Sequence, residues 1–133
     1  RASSHRLYDK VLVDAQCTLD ASVRHILKFQ KSGWTDPDSD KKIPVLQKRL
    51  LCNGFRLLRP GGVLVYSTCS FCESQNEDVV KWLVDNEPTA SVIPIEFEKQ
   101  TPAVEGSLKH TLRFYPAKTN TSGMFIAKIK KRE

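Results

Sequence analysis

The sequence lacks the features of membrane and secreted proteins. None of its apolar runs reaches the roughly 18 consecutive residues that a membrane span requires. Its N-terminus has no charged segment followed by an apolar one, so no secretion signal is predicted. These absences predict a soluble intracellular protein without a membrane partner, located in the nucleus or nucleolus, the cytoplasm or an organelle. They leave the oligomeric state open.

The chain is also short and does not begin with methionine. With 133 residues, 40% of them hydrophobic, it is able to bury one core and little more. Arg1 is followed almost directly by an apolar strand pattern. We therefore expect residues 1–133 to be part of a single domain and an excerpt of a longer polypeptide.

The chain has four cysteines and three histidines. Because the chain shows no secretory signal, its four cysteines are expected to be reduced thiols rather than a disulfide framework. They are Cys17, Cys52, Cys69 and Cys72. The three histidines are scattered and supply no set of metal ligands, so no metal site is predicted.

Acidic residues are outnumbered by basic ones. Twenty-one lysines and arginines against fifteen aspartates and glutamates give a net charge of +6. A basic cluster near the end comprises Lys128, Lys130, Lys131 and Arg132. Such a surplus suits a polyanionic partner, because each neutralised phosphate releases counterions, although a solvated basic tail explains the cluster more simply.

Strand and helix patterns alternate in the first half of the chain. Residues 8–15 form a Val-rich run that predicts a strand buried on both faces, and residues 18–42 are predicted to be a long polar loop. A helical pattern opens at Pro44 and is ended by residues 59–62. Residues 62–67 predict a second buried strand.

The alternation continues in the second half. Residues 73–86 predict an amphipathic helix, residues 92–95 a weak third strand, and residues 112–115 and 123–129 a terminal hairpin. Alternating strands and helices favour an α/β fold. Its sheet is predicted to be mostly parallel and covered on both sides, with an antiparallel strand at the edge.

Two cysteines follow the predicted strands, where open α/β sheets bind their ligands. Asp14 and Cys17 come at the end of the first strand, and Cys69 follows the second. Adjacent parallel strands would bring these three residues into one crevice. Cys69 also precedes the predicted helix, so we expect its thiolate to be stabilised by the helix N-terminus.

Other interpretations of the cysteines stay open at this point. A cysteine after a strand is commonly a small buried apolar residue, and Cys52, on the apolar helix face, is expected to belong to the core. Cys69 and Cys72 have a C-x-x-C spacing that also fits a redox pair or half of a zinc site. The sequence lacks the glycine-proline expected between redox cysteines and the second cysteine pair that zinc requires.

Three strings carry a resemblance to a known family: DKVLVDAQCT, LRPGGVLVYSTCSFCESQNEDVV and RFYPAKTNTSGMFIAKIKK. In this order, over residues 8–131, they resemble signature segments of the RsmB/Sun-domain family of RNA 5-methylcytosine methyltransferases. The resemblance implies that residues 1–133 are the C-terminal half of a Rossmann-like class I methyltransferase sheet. It also implies S-adenosylmethionine as cofactor and rRNA or tRNA as partner.

The resemblance further implies a role for each residue at the strand ends. The cysteine matching Cys69 adds to carbon 6 of cytosine, because carbon 5 is otherwise a poor methyl acceptor. The residue matching Asp14 holds or protonates the cytosine ring and also belongs to the cofactor site. The cysteine matching Cys17 assists removal of the carbon 5 proton and release of the product.

Residues around the nucleophile and in the long loop complete the prediction. Thr68, Ser70, Asn76 and Glu77 are expected to order the nucleophile loop, although Asn76 and Glu77 also suit a simple helix cap. In the predicted loop, Arg24, Lys28, Lys31 and Trp34 are candidates for contacting RNA, with the tryptophan stacking on a base. A solvated loop explains these four residues equally well.

The sequence departs from the family pattern in two respects. Gln16 stands where the family usually has proline, which removes a φ restraint next to Cys17. The glycine-rich cofactor loop is absent, since Gly61 and Gly62 enter a strand instead of leaving one. We therefore expect the chain alone to bind cofactor poorly. The rival functions are a non-catalytic RNA-binding remnant of such an enzyme and a small thiol redox protein.

Overall fold

The computed structural model describes residues 6–133, which form an α/β structure. The strands are β1 (Tyr8–Asp14), β2 (Leu58–Thr68), β3 (Ala90–Ile93), β4 (Val104–Glu105), β5 (Leu112–Phe114) and β6 (Met124–Lys131). The α-helices are α1 (Ile26–Ser32), α2 (Lys42–Arg56), α3 (Glu77–Asn86) and α4 (Pro116–Thr119). Short 3₁₀ turns lie at Val23–His25, Pro37–Ser39 and Glu73–Gln75. None of the helices in this described part is long and apolar enough to span a bilayer.

The described strands form one sheet in the order β1-β2-β6-β5-β4, with β3 also paired to β6. β1 and β2 are parallel, whereas β6 is antiparallel to β2, β3 and β5. It follows that β1, β2, β3 and β5 run in one direction. The predicted fold class, a mostly parallel sheet with an antiparallel terminal hairpin, is confirmed.

The core lies between the sheet and the pair of helices α2 and α3. Leu51 and Phe55 of α2, together with Val79 and Val80 of α3, are almost fully buried. Burial of the apolar surface of each such side chain adds roughly 1.5–3 kcal/mol to the free energy of unfolding. Gly54 allows α2 to approach the sheet closely, because a Cβ atom there would lie 2.6 Å from Cγ2 of Val13.

The second strand begins earlier than the sequence pattern predicts. The pattern places a helix-ending turn at residues 59–62, but α2 ends at Arg56 and β2 begins at Leu58. The register between β1 and β2 shifts after Tyr8, which pairs with Leu58, and Gly61 adopts a φ of +78° at this irregularity. A proline and two glycines therefore form a bulged strand end rather than a loop.

Two other predictions are wrong in part. The predicted long loop at residues 18–42 contains α1 and two 3₁₀ turns. β1 is not buried on both faces: Val11 and Val13 pack against the core, but Leu12 is 69% exposed on the opposite face. Within the described residues the helices cover only the first of these faces, since Leu12, Val63 and Val65 line an open groove on the second.

Candidate active site

The predicted crevice forms at the carboxyl ends of β1 and β2. Asp14 pairs with Ser67 in the parallel register, and the Ser67 hydroxyl donates a hydrogen bond to Oδ1 of Asp14 at 2.9 Å. The chain then leads from each strand to a cysteine. The Sγ atoms of Cys17 and Cys69 lie 3.3 Å apart, although the residues are 52 positions apart in sequence. Asp14 and the two thiols thus converge as the strand order predicts.

The environment of Cys69 favours the neutral thiol. Burial, the hydrogen bond with Cys17 and the nearby charges of Cys17 and Asp14 together raise the pKa of Cys69 to about 12, with burial as the largest cause. The sequence suggested the opposite, a thiolate stabilised by a helix N-terminus. That expectation is wrong because the 3₁₀ turn at Glu73–Gln75 separates Cys69 from α3, which begins only at Glu77.

The raised pKa of Cys69 predicts slow alkylation at neutral pH. Since only the thiolate reacts with iodoacetamide, Cys69 at pH 8 should react at least about a hundredfold more slowly in the folded protein than in urea. The rate should still be rising above pH 10. Mass spectrometry of the peptide that carries Cys69 would measure it, in a Cys72→Ser variant so that the peptide holds one thiol. A rate that levels off near pH 9 in the folded protein would show that burial does not control this thiol.

A set of short-range hydrogen bonds shapes the segment that carries Cys69. The Thr68 hydroxyl donates to Oδ1 of Asn76, and Nδ2 of Asn76 donates to the Ser70 carbonyl at 2.8 Å. The backbone N–H of Ser70 donates to the Thr68 hydroxyl at 3.3 Å. Thr68, Ser70 and Asn76 are all buried, so they fix the backbone on both sides of the thiol. These contacts suit the predicted ordering of the nucleophile loop.

Glu77 holds the Cys69 segment through an ion pair with an arginine that the sequence did not indicate. Arg113 of β5 donates to both carboxylate oxygens of Glu77, from Nε at 2.6 Å and from Nη2 at 2.5 Å. A third donor, Nη1, bonds the Phe71 carbonyl at 2.8 Å. The side chains of Glu77 and Arg113 are only 3% and 12% exposed. The hydrogen bonds that Arg113 donates to Glu77 raise the pKa of Arg113, and this ion pair ties the Cys69 segment to β5.

The segment that follows Cys17 is connected to the Cys69 segment by Asp20. Oδ2 of Asp20 accepts a hydrogen bond from the Phe71 N–H at 2.9 Å, and Oδ1 accepts one from the Thr18 hydroxyl. The Ala21 N–H donates to the Cys69 carbonyl at 3.0 Å. The two loops therefore form a single hydrogen-bonded unit, and sequence reasoning assigned no role to Asp20.

The remaining two cysteines lie apart from this thiol pair. Burial raises the pKa of Cys72 to about 11, and its Sγ lies 4.0 Å from Oδ2 of Asp20. Cys52, predicted to be core, is only half-buried and lines a groove with Trp82. Among residues 6–133, no group of three or more histidine, cysteine, aspartate or glutamate side chains is arranged to hold a metal ion.

The residues predicted to contact RNA are all exposed, and one of them, Trp34, lies near the crevice. Arg24 belongs to a 3₁₀ turn, Lys28 and Lys31 to α1, and Trp34 follows that helix and is 65% exposed. Trp34 packs edge-to-face on Phe29, with ring centroids 5.5 Å apart. Both rings line a cavity of about 180 Å³ together with Thr18 and Asp20. This cavity places Trp34 on the side of the molecule that carries Cys17.

The terminal basic cluster is not a solvated tail. Lys128, Lys130 and Lys131 belong to β6, and Nζ of Lys131 donates to the Leu58 carbonyl at 2.9 Å. Arg132 donates to the Pro88 carbonyl. Two members of the cluster thus bind backbone carbonyls of other segments of the chain.

The chain resembles known proteins along nearly its whole length. A family model described as 16S rRNA methyltransferase RsmB/F matches residues 1–130. The ribosomal RNA small subunit methyltransferase F of Cronobacter sakazakii is 32% identical over 126 residues, which cover 93% of this chain and 26% of that protein. The mitochondrial tRNA (cytosine(34)-C(5))-methyltransferase of Mus musculus is 34% identical over 132 residues, covering 93% and 37%.

A solved structure agrees with these relatives. NSun6 from Pyrococcus horikoshii, determined with SFG, superposes with a TM-score of 0.77 at 30% sequence identity. The match covers 96% of this chain and 31% of that one. The chain therefore spans between about a quarter and somewhat over a third of the length of the relatives it matches.

Proposed function

This chain belongs to the 16S rRNA methyltransferase RsmB/F family, and on that premise we propose that it carries the reacting cysteines of an RNA cytosine-5 methyltransferase. The enzyme forms 5-methylcytosine in rRNA or tRNA through a covalent adduct between Cys69 and cytosine. The observation that carries the proposal is the 3.3 Å separation of the Cys17 and Cys69 sulfurs beyond two adjacent parallel strands. Residues 1–133 form the C-terminal part of one catalytic domain.

The first step activates the cytosine ring. The S–H bond of Cys69 breaks and its sulfur bonds carbon 6 of the base. The electron pair displaced from the carbon 5–carbon 6 bond moves towards ring nitrogen N3, which takes up a proton. Asp14 relays the thiol proton to N3, a role that its position supports because it ends β1 beside Ser67, two residues before Cys69. Carbon 5 becomes electron-rich and able to accept a methyl group.

The second step releases the product. Once carbon 5 carries the methyl group, its hydrogen must leave as a proton. Cys17 first gives up its thiol proton to solvent, its sulfur then takes the carbon 5 proton, and the electron pair left on carbon 5 rebuilds the carbon 5–carbon 6 double bond. The bond between carbon 6 and sulfur then breaks, its electrons return to Cys69, and the N3 proton returns through Asp14 to that sulfur. The Cys69 sulfur must therefore reach carbon 6 while the Cys17 sulfur reaches the hydrogen on carbon 5. The 3.3 Å separation of the two sulfurs suits these neighbouring positions on the ring.

The cofactor requirement is met only in part by these residues. S-adenosylmethionine supplies the methyl group on a positively charged sulfur. Asp14 fits such a group, because its carboxyl group is exposed at the end of β1, next to the strand that leads to Cys69. The glycines that a cofactor loop would need are absent at the ends of β1 and β2, since Gly61 and Gly62 lie at the start of β2. We propose that another part of the domain holds most of the cofactor.

The RNA partner is held by exposed basic and aromatic side chains. Arg24, Lys28 and Lys31 contact phosphates, and Trp34 stacks on an unpaired base next to the cavity that it shares with Thr18. Covalent attack on carbon 6 requires an unstacked cytosine, which RNA loops supply at small energetic cost. Because the mouse relative is named as mitochondrial, an organelle is one location to examine, alongside the cytoplasm.

Trapping with 5-azacytidine tests the proposed function. The protein at its full natural length is incubated with S-adenosylmethionine and rRNA or tRNA containing 5-azacytidine, which has nitrogen at position 5 and so cannot lose a proton there. We expect a protein–RNA adduct that survives denaturation, maps to Cys69 by mass spectrometry and is abolished in Cys69→Ala. Cys52→Ala is the matched control and should form the adduct normally.

The same experiment separates the rival functions. RNA binding without any adduct would support a non-catalytic remnant and contradict the proposal. An adduct that maps to Cys72 would contradict the assignment of the nucleophile. The redox alternative is less well supported, because the partner that lies against Cys69 is Cys17 rather than the Cys72 of the C-x-x-C pair.

A further inference from the structure

We propose that two buried glutamines, Gln47 and Gln75, are positioning residues that hold Cys17 opposite Cys69. Neither glutamine touches a sulfur, and both act through the residues on either side of Cys17. The inference rests on the proposed function for its consequence in the reaction. Its structural part, the placement of the Cys17 thiol, is testable independently of methyl transfer.

Gln75 holds the residue after Cys17. Its Oε1 accepts a hydrogen bond from the Thr18 N–H at 3.2 Å, and its Nε2 donates to the Thr18 hydroxyl at 2.9 Å. Gln75 itself is fixed, since it is fully buried and its carbonyl accepts from the Tyr66 hydroxyl at 2.7 Å. A two-point contact from a rigid anchor restrains both the position and the rotation of the Thr18 backbone.

Gln47 holds the residue before Cys17. Its Nε2 donates to the Gln16 carbonyl at 3.0 Å and also approaches Oε1 of Gln75 at 3.4 Å. Gln47 lies on α2 and Gln75 in the 3₁₀ turn before α3, so the Cys17 segment is connected to both halves of the helical layer. Cys17 is therefore held on both sides by side chains from the core.

The interior placement of Gln47 is not explained by stability. Gln47 is fully buried, and its Oε1 has no hydrogen-bond partner among the described residues. A buried acceptor without a partner is unfavourable, and an apolar residue of similar size would avoid that cost. The position is better explained if the Nε2 group is needed to orient Gln16.

The backbone around Cys17 requires such support. Leu19 has a φ of +61°, in the left-handed region that leucine rarely adopts, so this segment does not take its shape by local preference. Gln16 stands where the resemblance leads us to expect proline, so the ring restraint on φ is missing before Cys17. The two glutamines supply by hydrogen bonding the rigidity that the covalent ring would give.

Thiol–disulfide exchange measures this placement directly. The protein at its full natural length, with Cys52 and Cys72 replaced by serine, is equilibrated with reduced and oxidised glutathione. One glutathione disulfide accepts two electrons from Cys17 and Cys69, giving the protein disulfide and two glutathione thiols. The equilibrium constant gives the effective concentration of the Cys17 thiol at Cys69. This concentration is higher when the fold already holds the two sulfurs close together.

We expect Gln75→Leu and Gln47→Leu each to lower this effective concentration by about tenfold, because each removes hydrogen bonds that restrain Cys17. Gln30→Leu is the matched control, since Gln30 is exposed on α1 and contacts neither loop of the site. Thr18→Val serves if a leucine variant fails to fold, because it removes the hydroxyl that Gln75 contacts without altering the core; Asp20→Asn is its control, since Thr18→Val also removes the bond to Asp20. Thr18→Val should lower the effective concentration in the same direction.

Gln16→Pro tests whether Gln47 acts by orienting the Cys17 segment. If Gln47 only stabilised the core, this substitution would not restore what Gln47→Leu loses. In the Gln47→Leu background, proline should restore much of the lost effective concentration by restraining φ before Cys17. An effective concentration unchanged in both leucine variants and in Thr18→Val would overturn the inference. That result would leave the 5-azacytidine adduct untouched, whereas a missing adduct in wild type would overturn the proposed function but not the placement of Cys17.

Discussion

Replacing Cys17 with alanine should leave the enzyme attached to ordinary, unmodified substrate RNA as a covalent adduct. In the proposed reaction, Cys69 is freed only after the carbon 5 proton has been removed. Positioned general bases typically accelerate such transfers by roughly 10²–10⁴-fold, so the lifetime of the adduct should lengthen by a similar factor. Denaturing gel electrophoresis with labelled RNA and S-adenosylmethionine would detect the slower-migrating species.

The matched control for this prediction is Cys72→Ala. Cys72 is half-buried and free like Cys17, but its Sγ contacts Oδ2 of Asp20, at 4.0 Å, rather than the sulfur of Cys69. Its replacement should leave release as fast as in wild type. If Cys17→Ala also releases RNA at the wild-type rate, the release role is wrong, and the role of Cys69 is then judged by 5-azacytidine trapping alone.

The convergence of Asp14, Cys17 and Cys69 could be predicted from sequence because it depends on a simple topological rule. Strand patterns are local, and parallel neighbours end at the same edge of a sheet, so residues just after each strand must meet. The register pairs Asp14 with Ser67, as this reasoning requires. The family resemblance predicted from the three strings is likewise confirmed, because its motifs are contiguous in the chain.

The residues that support the site could not be predicted in the same way. Gln47 lies 31 positions from Gln16, and Arg113 lies 36 positions from Glu77. A single buried glutamine or arginine gives no periodic signal, and its partner is fixed only by how the helices and strands pack. Glu77 was identified through a motif, but nothing in that motif indicated an arginine on β5.

The direction of the Cys69 pKa shift also depends on three-dimensional packing. The predicted helix at residues 73–86 was correct in outline, but its first turn is 3₁₀ and α3 starts at Glu77. The favourable helix dipole falls off within a turn, whereas burial and the neighbouring Cys17 act directly on the thiol. Burial and the contact with Cys17 therefore decide the direction of the shift, and neither is visible in the sequence pattern around Cys69.

The errors in β1 and in the long loop have a common cause. The strand was predicted from its apolar pattern and the loop from its polar and turn-forming residues, but which side chains are covered is decided by other parts of the molecule. Ile26 and Leu27 belong to α1 yet are 46% and 67% exposed. Because this helix does not bury a regular apolar face, the sequence shows no extended helical spacing of apolar residues there. The Val-rich pattern of β1 is typical of a strand covered on both faces, but within the described residues only one face is covered.

Breaking the buried ion pair by Arg113→Met should lower the free energy of unfolding by about 3–5 kcal/mol. The substitution leaves the Glu77 carboxylate almost fully buried without its bidentate partner and also removes the hydrogen bond to the Phe71 carbonyl. Urea denaturation of the protein at its full natural length would measure the change. Because the Cys69 segment is tied to β5 through this arginine, we also expect slower formation of the 5-azacytidine adduct at temperatures where the variant is folded.

A second arginine provides the control for this prediction. Arg59 forms an ion pair with Asp9, but the two side chains are 61% and 65% exposed, so Arg59→Met should change stability by no more than about 1 kcal/mol. Replacing both members of the buried pair with methionine should recover part of the loss, since no unpaired charge then remains inside. A single Arg113→Met variant as stable as Arg59→Met would mean that water reaches Glu77. The pair would then not be what holds the Cys69 segment against β5.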